Sequence, residues 1–104
     1  MLEKIISEID IGVEIVNGYS YQEFIEREDV KRAVSMTLIT IGELVKSLDD
    51  ETRTSYPKVL WKEIAGMRDI AAHKYLSIDF KRVYDTAKDN LPELKVQLVE
   101  ILSE

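Results

Sequence analysis

The sequence has no cysteine, a single histidine, and no apolar run approaching the roughly 20 residues that a membrane span requires. Without cysteine, neither disulfides nor thiolate metal sites can help hold the fold, so packing has to do so. Strand-like alternation, internal repeats and low-complexity tracts are also absent. The opening Met1-Leu2-Glu3-Lys4 mixes charges at once and lacks the basic-then-apolar layout of a signal peptide. Together these absences predict a cytoplasmic protein with no membrane segment. With 104 residues, the chain is expected to form a single domain over residues 1–104.

Positive charge is in short supply. Lys and Arg number 14 against 20 Asp and Glu, a net charge of −6. That balance argues against nonspecific duplex binding, which Lys and Arg drive. The deficit is uneven, however. Residues 1–55 hold 12 acids and 6 bases, whereas residues 56–104 hold 8 of each. In the second part Arg68, Lys74, Lys81 and Arg82 stand against Asp69 and Asp79, so a local neutral-to-basic patch can still meet RNA. The acidic half is a solvated surface or a face for a basic protein partner.

What the chain has in abundance is helical periodicity. Ile5, Ile9, Gly12 and Val16 follow a 4-3-4 spacing and predict an amphipathic helix over 2–17, ended by Asn17-Gly18 with the glycine left-handed. Ser20 with Glu23 resembles a capping box for a short turn carrying Phe24. Asp29 reads as the N-cap of a second long helix, whose seam is Val34, Leu38, Ile41, Val45 and Leu48. The polar stretch from Leu48 to Pro57 is a connection with room for one helical turn. A third helix is expected from Val59 to Ala72. A fourth carries Phe80, Val83, Ala87, Leu91, Leu94, Leu98 and Ile101 on one face. Pro92 should kink it near residues 88–90, with Asn90 and Glu93 capping the restarted helix. The fold class is all-α, a four- to five-helix up-and-down bundle with a kinked C-terminal helix. Gly12, Gly42 and Gly66 lie inside helices, each at about 1 kcal/mol relative to alanine, which suggests close helix contacts within or between chains.

The segment Gly66-Met67-Arg68-Asp69-Ile70-Ala71-Ala72-His73-Lys74-Tyr75 carries the candidate chemistry. His73 has the one side chain whose unperturbed pKa lies near neutrality. Asp69 precedes it by four residues, where a carboxylate can fix an imidazole tautomer. Arg68 supplies a planar cation able to grip phosphate bidentately. Such a set suits cleavage of RNA through its own 2′-hydroxyl. On a continuous helix, though, residues five apart point about 140° from each other. Either the helix loosens before His73, or Arg68 reaches round, or two chains build one site. A single histidine also cannot be base and acid in one step. A homodimer presenting two copies answers both difficulties. There is no His-Glu-x-x-His pattern or other evident metal spacing, so no metal or cofactor is expected.

Arg68-x-x-x-x-His73-x-Tyr75 resembles the signature of the HepT-like branch of HEPN domains. The likeness extends to Tyr21-Gln22-Glu23-Phe24, Ile41-Gly42-Glu43, Pro57 to Trp61, Gly66-Met67-Arg68 and Leu91-Pro92-Glu93-Leu94. The resemblance implies a homodimeric helical bundle acting as a metal-independent endoribonuclease toxin of a type II/VII-like toxin–antitoxin pair. It also implies a small nucleotidyltransferase antitoxin of the MNT type, which adenylylates the motif tyrosine. Carried over, Arg68 and His73 are the catalytic pair, Asp69 and Lys74 support them, and Tyr75 is the modified hydroxyl. Two positions depart from the pattern: Asp69 stands where relatives commonly have Asn, and Lys74 where an acid or Gly often precedes the tyrosine. Asp69 brings negative charge near the scissile phosphate unless it pairs with His73 or Arg68. Read on residues alone, Tyr75 also suits simple packing, and Trp61 a core or interface position. Competing expectations are a non-catalytic nucleotide- or substrate-binding partner of a nucleotidyltransferase, and a purely structural helical dimer.

Overall fold

A computed structural model describes residues 1–72 and 75–104, with Tyr75 described for its backbone only. Among the described residues every regular element is helical. In order they are α1 (Leu2–Asn17), α2 (Tyr21–Glu26), α3 (Glu28–Lys46), α4 (Asp50–Ser55), α5 (Trp61–Ala65) and α6 (Met67–Ala71). A 3-10 turn at Tyr75–Ser77 leads to α7 (Phe80–Asp85), a π-turn (Thr86–Asn90) and α8 (Leu91–Leu102). The result is the all-α bundle expected. Its long elements are α1, α3 and the α7–α8 helix, with α2 and α4 as short connections. No described helix is long and apolar enough to cross a membrane.

The periodic residues fill the interior as their spacing requires. Ile5, Ile9 and Val16 of α1 and Val34, Leu38 and Ile41 of α3 are fully buried, as are Val83, Leu91 and Leu98 of the C-terminal helix. Each such side chain contributes about 1.5–3 kcal/mol by leaving water. α1 runs antiparallel to α8, with Gly12 against Leu91 and Asp10 paired to Lys95 at 2.6 Å. Phe24, fully buried on α2, packs its ring at a tilt against that of Tyr84, with centroids 5.1 Å apart. The Tyr84 hydroxyl donates to the Tyr19 carbonyl at 2.8 Å and ties α7 to the turn before α2. Trp61 is a core residue whose Nε1 donates to the Tyr56 carbonyl at 3.1 Å.

Four local expectations are corrected. Gly18 closes α1 in the right-handed region, at φ −79°, because backbone bonds to Ile15 and Val16 complete the turn without a left-handed residue. The second long helix begins at Glu28, not after Asp29; the Asp29 carboxylate turns back to Arg27 at 2.8 Å instead of capping. The continuous helix expected over Val59–Ala72 is two short helices meeting at Gly66. Asn90 caps nothing, since its backbone is itself helical at φ −87° and ψ −36°. Pro92 instead lies in the first turn of α8, and the irregularity expected near 88–90 takes the form of the π-turn. There the Leu91 N–H reaches the Thr86 carbonyl five residues back, and the widened turn makes room for the Pro92 ring, which would clash in a regular α-helix.

Candidate functional site

α6 is only five residues long, so its position depends on its neighbours more than on its own helix propensity. Met67 and Ala71, one turn apart, are buried and anchor it to the core. Arg68 follows Met67 on the side facing α3. There Gly42 lets the backbones approach so closely that a Cβ on it would stand 2.8 Å from the Arg68 nitrogen and 2.9 Å from the Arg68 Cβ. It would also lie 3.0 Å from the Ala65 carbonyl oxygen. The arginine backbone is thereby clamped while its side chain stays 44% exposed.

The guanidinium is lightly held. Arg68 Nη1 lies 3.6 Å from Asp69 Oδ1, an ion pair beyond hydrogen-bonding range between two exposed groups. Pairs of this kind are worth at most about 1 kcal/mol and exchange readily for a better anion. Of the two partners expected for Asp69, the structure therefore shows Arg68. His73 and Lys74 lie outside the described residues, so the Asp69–His73 pairing and the support expected of Lys74 do too. Tyr75 opens the 3-10 turn after α6, and the expectation for its hydroxyl concerns a side chain outside the description.

On its other side α6 borders two open concavities. The smaller, about 260 Å³, is lined by Gly66, Asp69, Ile70, Ser77, Asp79 and Arg82. The larger, about 730 Å³, runs between α5–α6 and α7–α8 over a floor that includes Ile64, Met67 and Leu94. Asp79 caps α7 by accepting from the Arg82 backbone N–H at 3.1 Å. Lys81 is matched to Asp85 at 3.0 Å, and this carboxylate holds the Lys81 ammonium above the usual lysine range. Arg82 forms no side-chain ion pair among the described residues. No group of three or more metal-ligating side chains occurs among those residues. Sequence reasoning counted Arg82 only within a basic patch; its place opposite Asp69 depends on how α7 packs, which no local pattern signals. The close contact at Gly42 was foreshadowed by a glycine within an otherwise strong helical seam.

The family described as Ribonuclease HepT-like matches residues 4–101. The chain belongs to this HepT-like family. Among its curated relatives is a protein of Caldanaerobacter subterraneus subsp. tengcongensis, provisionally named an RNase. It is 41% identical over 101 residues, spanning 97% of this chain and 90% of that one. A Methanocaldococcus jannaschii protein, also provisionally named an RNase, is 37% identical over 103 residues, with 99% and 89% covered. A "probable ribonuclease HepT" of Thermococcus cleftensis is 30% identical over 94 residues, with 90% and 86% covered. No solved structure is similar enough to count as a match. Arg68 and Asp69 thus stand at an exposed edge of a HepT-like bundle, on a helix fixed from beneath.

Proposed function

We propose that this HepT-like chain is a metal-independent endoribonuclease toxin in which Arg68 and His73 act together in the cleft of a homodimer. The observation that carries the reading is Arg68 itself, at the head of the Arg-x-x-x-x-His-x-Tyr spacing, with a clamped backbone and a guanidinium held only loosely by Asp69. In the reaction one His73 takes the proton of the RNA 2′-hydroxyl as that oxygen attacks the adjacent phosphorus. The His73 of the second copy protonates the departing 5′-oxygen, and Arg68 stabilises the charge on the crowded phosphorane. The products are a 2′,3′-cyclic phosphate and a 5′-hydroxyl. The inferred control is by an MNT-type nucleotidyltransferase. The Tyr75 hydroxyl attacks the α-phosphorus of ATP, pyrophosphate leaves, and the new anion occupies Arg68 and fills the cleft.

The net charge of −6 favours a second reading, a non-catalytic nucleotide-binding partner of that nucleotidyltransferase. One experiment separates the two: RNA incubated in EDTA with wild type, Arg68→Ala, His73→Ala and Tyr75→Phe. Each is tested before and after treatment with ATP and the nucleotidyltransferase. Wild type and Tyr75→Phe should cut, the other two should not, and only Tyr75→Phe should escape adenylylation and silencing. Absence of cleavage by wild type, or activity that needs added magnesium, refutes the proposed chemistry.

A further inference from the structure

Asp69 poses an electrostatic problem for the reading above, on which this inference rests. Its carboxylate stands next to the arginine that must bind phosphate and already attracts it at 3.6 Å. A second acid, Asp79, lines the same small concavity, and its capping bond to the start of α7 leaves its charge in place. Arg68 does not line that concavity, so Asp69 is the carboxylate that faces both it and the arginine. Arg82 changes that balance. Its side chain borders the same space, and no described residue takes it in an ion pair. The acid one turn further along α7, Asp85, is already matched by Lys81 at 3.0 Å. Among the described residues lining this concavity, Arg82 is thus the cation available to Asp69 and Asp79.

We propose that Arg82 is a positioning residue: across the concavity beside α6 it neutralises Asp69 and so leaves the Arg68 guanidinium available for the substrate phosphate. Arg82 acts through Asp69 and needs no contact with RNA. Arg82→Gln leaves Asp69 to Arg68 alone and weakens phosphate binding, whereas Arg82→Lys keeps the charge. Because the groups are exposed, the effect is modest and shrinks as salt screens it.

The test is a double-mutant cycle on RNA cleavage, measured as kcat/KM at low and high ionic strength. It compares wild type, Arg82→Gln, Arg82→Lys, Asp69→Asn and the Asp69→Asn/Arg82→Gln double variant. Arg82→Gln should lower kcat/KM about two- to fivefold at low salt, with Arg82→Lys close to wild type. In the Asp69→Asn background the Arg82→Gln change should have no effect, which a general structural role would not produce. An equal loss in both backgrounds overturns the proposal and assigns Arg82 to the RNA or to the fold. No loss in either background also overturns it. If wild type cuts and only the cycle fails, the ribonuclease reading stands and this inference alone falls; if wild type cuts nothing, both fall.

Discussion

At Gly42 α3 passes close against the Arg68 backbone of α6, and the missing side chain is what allows Arg68 to sit there. An alanine in a helix interior ordinarily stabilises relative to glycine by about 1 kcal/mol. At Gly42 the sign should reverse, because the added carbon would press on the backbone of α6 at 2.8 Å. We expect Gly42→Ala to cost about 1–3 kcal/mol, as overpacking generally does. Gly12→Ala should cost less, since its Cβ would meet side-chain carbons of Thr37 and Leu91, at 3.0 and 3.2 Å, and not backbone. Urea unfolding of both variants checks this, and equal stability for wild type and Gly42→Ala would remove the clamp from the account. The same displacement should reduce RNA cleavage by Gly42→Ala even where the protein remains folded.

At the scale of elements, the short α2 depends on its start. Ser20 Oγ accepts from the Glu23 N–H at 3.2 Å, and the Glu23 carboxylate accepts from the Ser20 N–H at 2.9 Å. That backbone bond, with the hydroxyl beside it, holds the Glu23 carboxyl below its ordinary range. A depressed carboxylate contributes stability at pH values above its unfolded pKa, and the contribution disappears as pH falls through the folded value. Glu23→Gln, which removes the charge, should therefore destabilise the protein near neutrality. The gap from wild type should narrow on acidification through the carboxylate range; thermal melts from pH 7 to pH 3 provide the check. The box was legible in the sequence because all its parts lie within four residues. The true start of α3 was not, since Asp29 looks like a cap until Arg27 claims it. Nor was the division at Gly66, because what turns α6 there is the approach to Gly42, more than twenty positions away in sequence. Arg68 was legible as a candidate, but its loose pairing and the concavity beside it arise from packing between helices.

For the whole molecule, homodimerisation is the expectation on which the proposed chemistry depends. On the motif-bearing segment Ala71 is buried within its own chain, while Ala72 is exposed. The more telling residue is Leu76, directly after Tyr75, a leucine 98% exposed. Sedimentation at micromolar concentration should show a dimer, and Leu76→Lys should shift it toward monomer and lower cleavage without loss of helical content. A wild-type protein that sediments only as a monomer would count against the shared cleft. A dimer undisturbed by Leu76→Lys would place the interface elsewhere.

The π-turn at Thr86–Asn90 also means that the C-terminal helix carries slack. Its buried residues Val83, Ala87, Leu91, Leu94 and Leu98 are spaced 4-4-3-4, slightly longer than 3.6 residues per turn allows. The widened turn accommodates the surplus, so the helix holds about one residue more than the bundle requires. Deleting exposed Asp89 should let the turn relax into ordinary α-helix with the apolar stripe still facing inward. Pro92 must be replaced at the same time, because its ring would then meet the carbonyl four residues back. Combined with Pro92→Ala, the deletion should leave helical circular dichroism and cooperative unfolding intact. Removing one residue from the middle of α3, where no such reserve exists, should abolish both. Natural relatives differing by a single residue in length would then be expected to gain or lose it here.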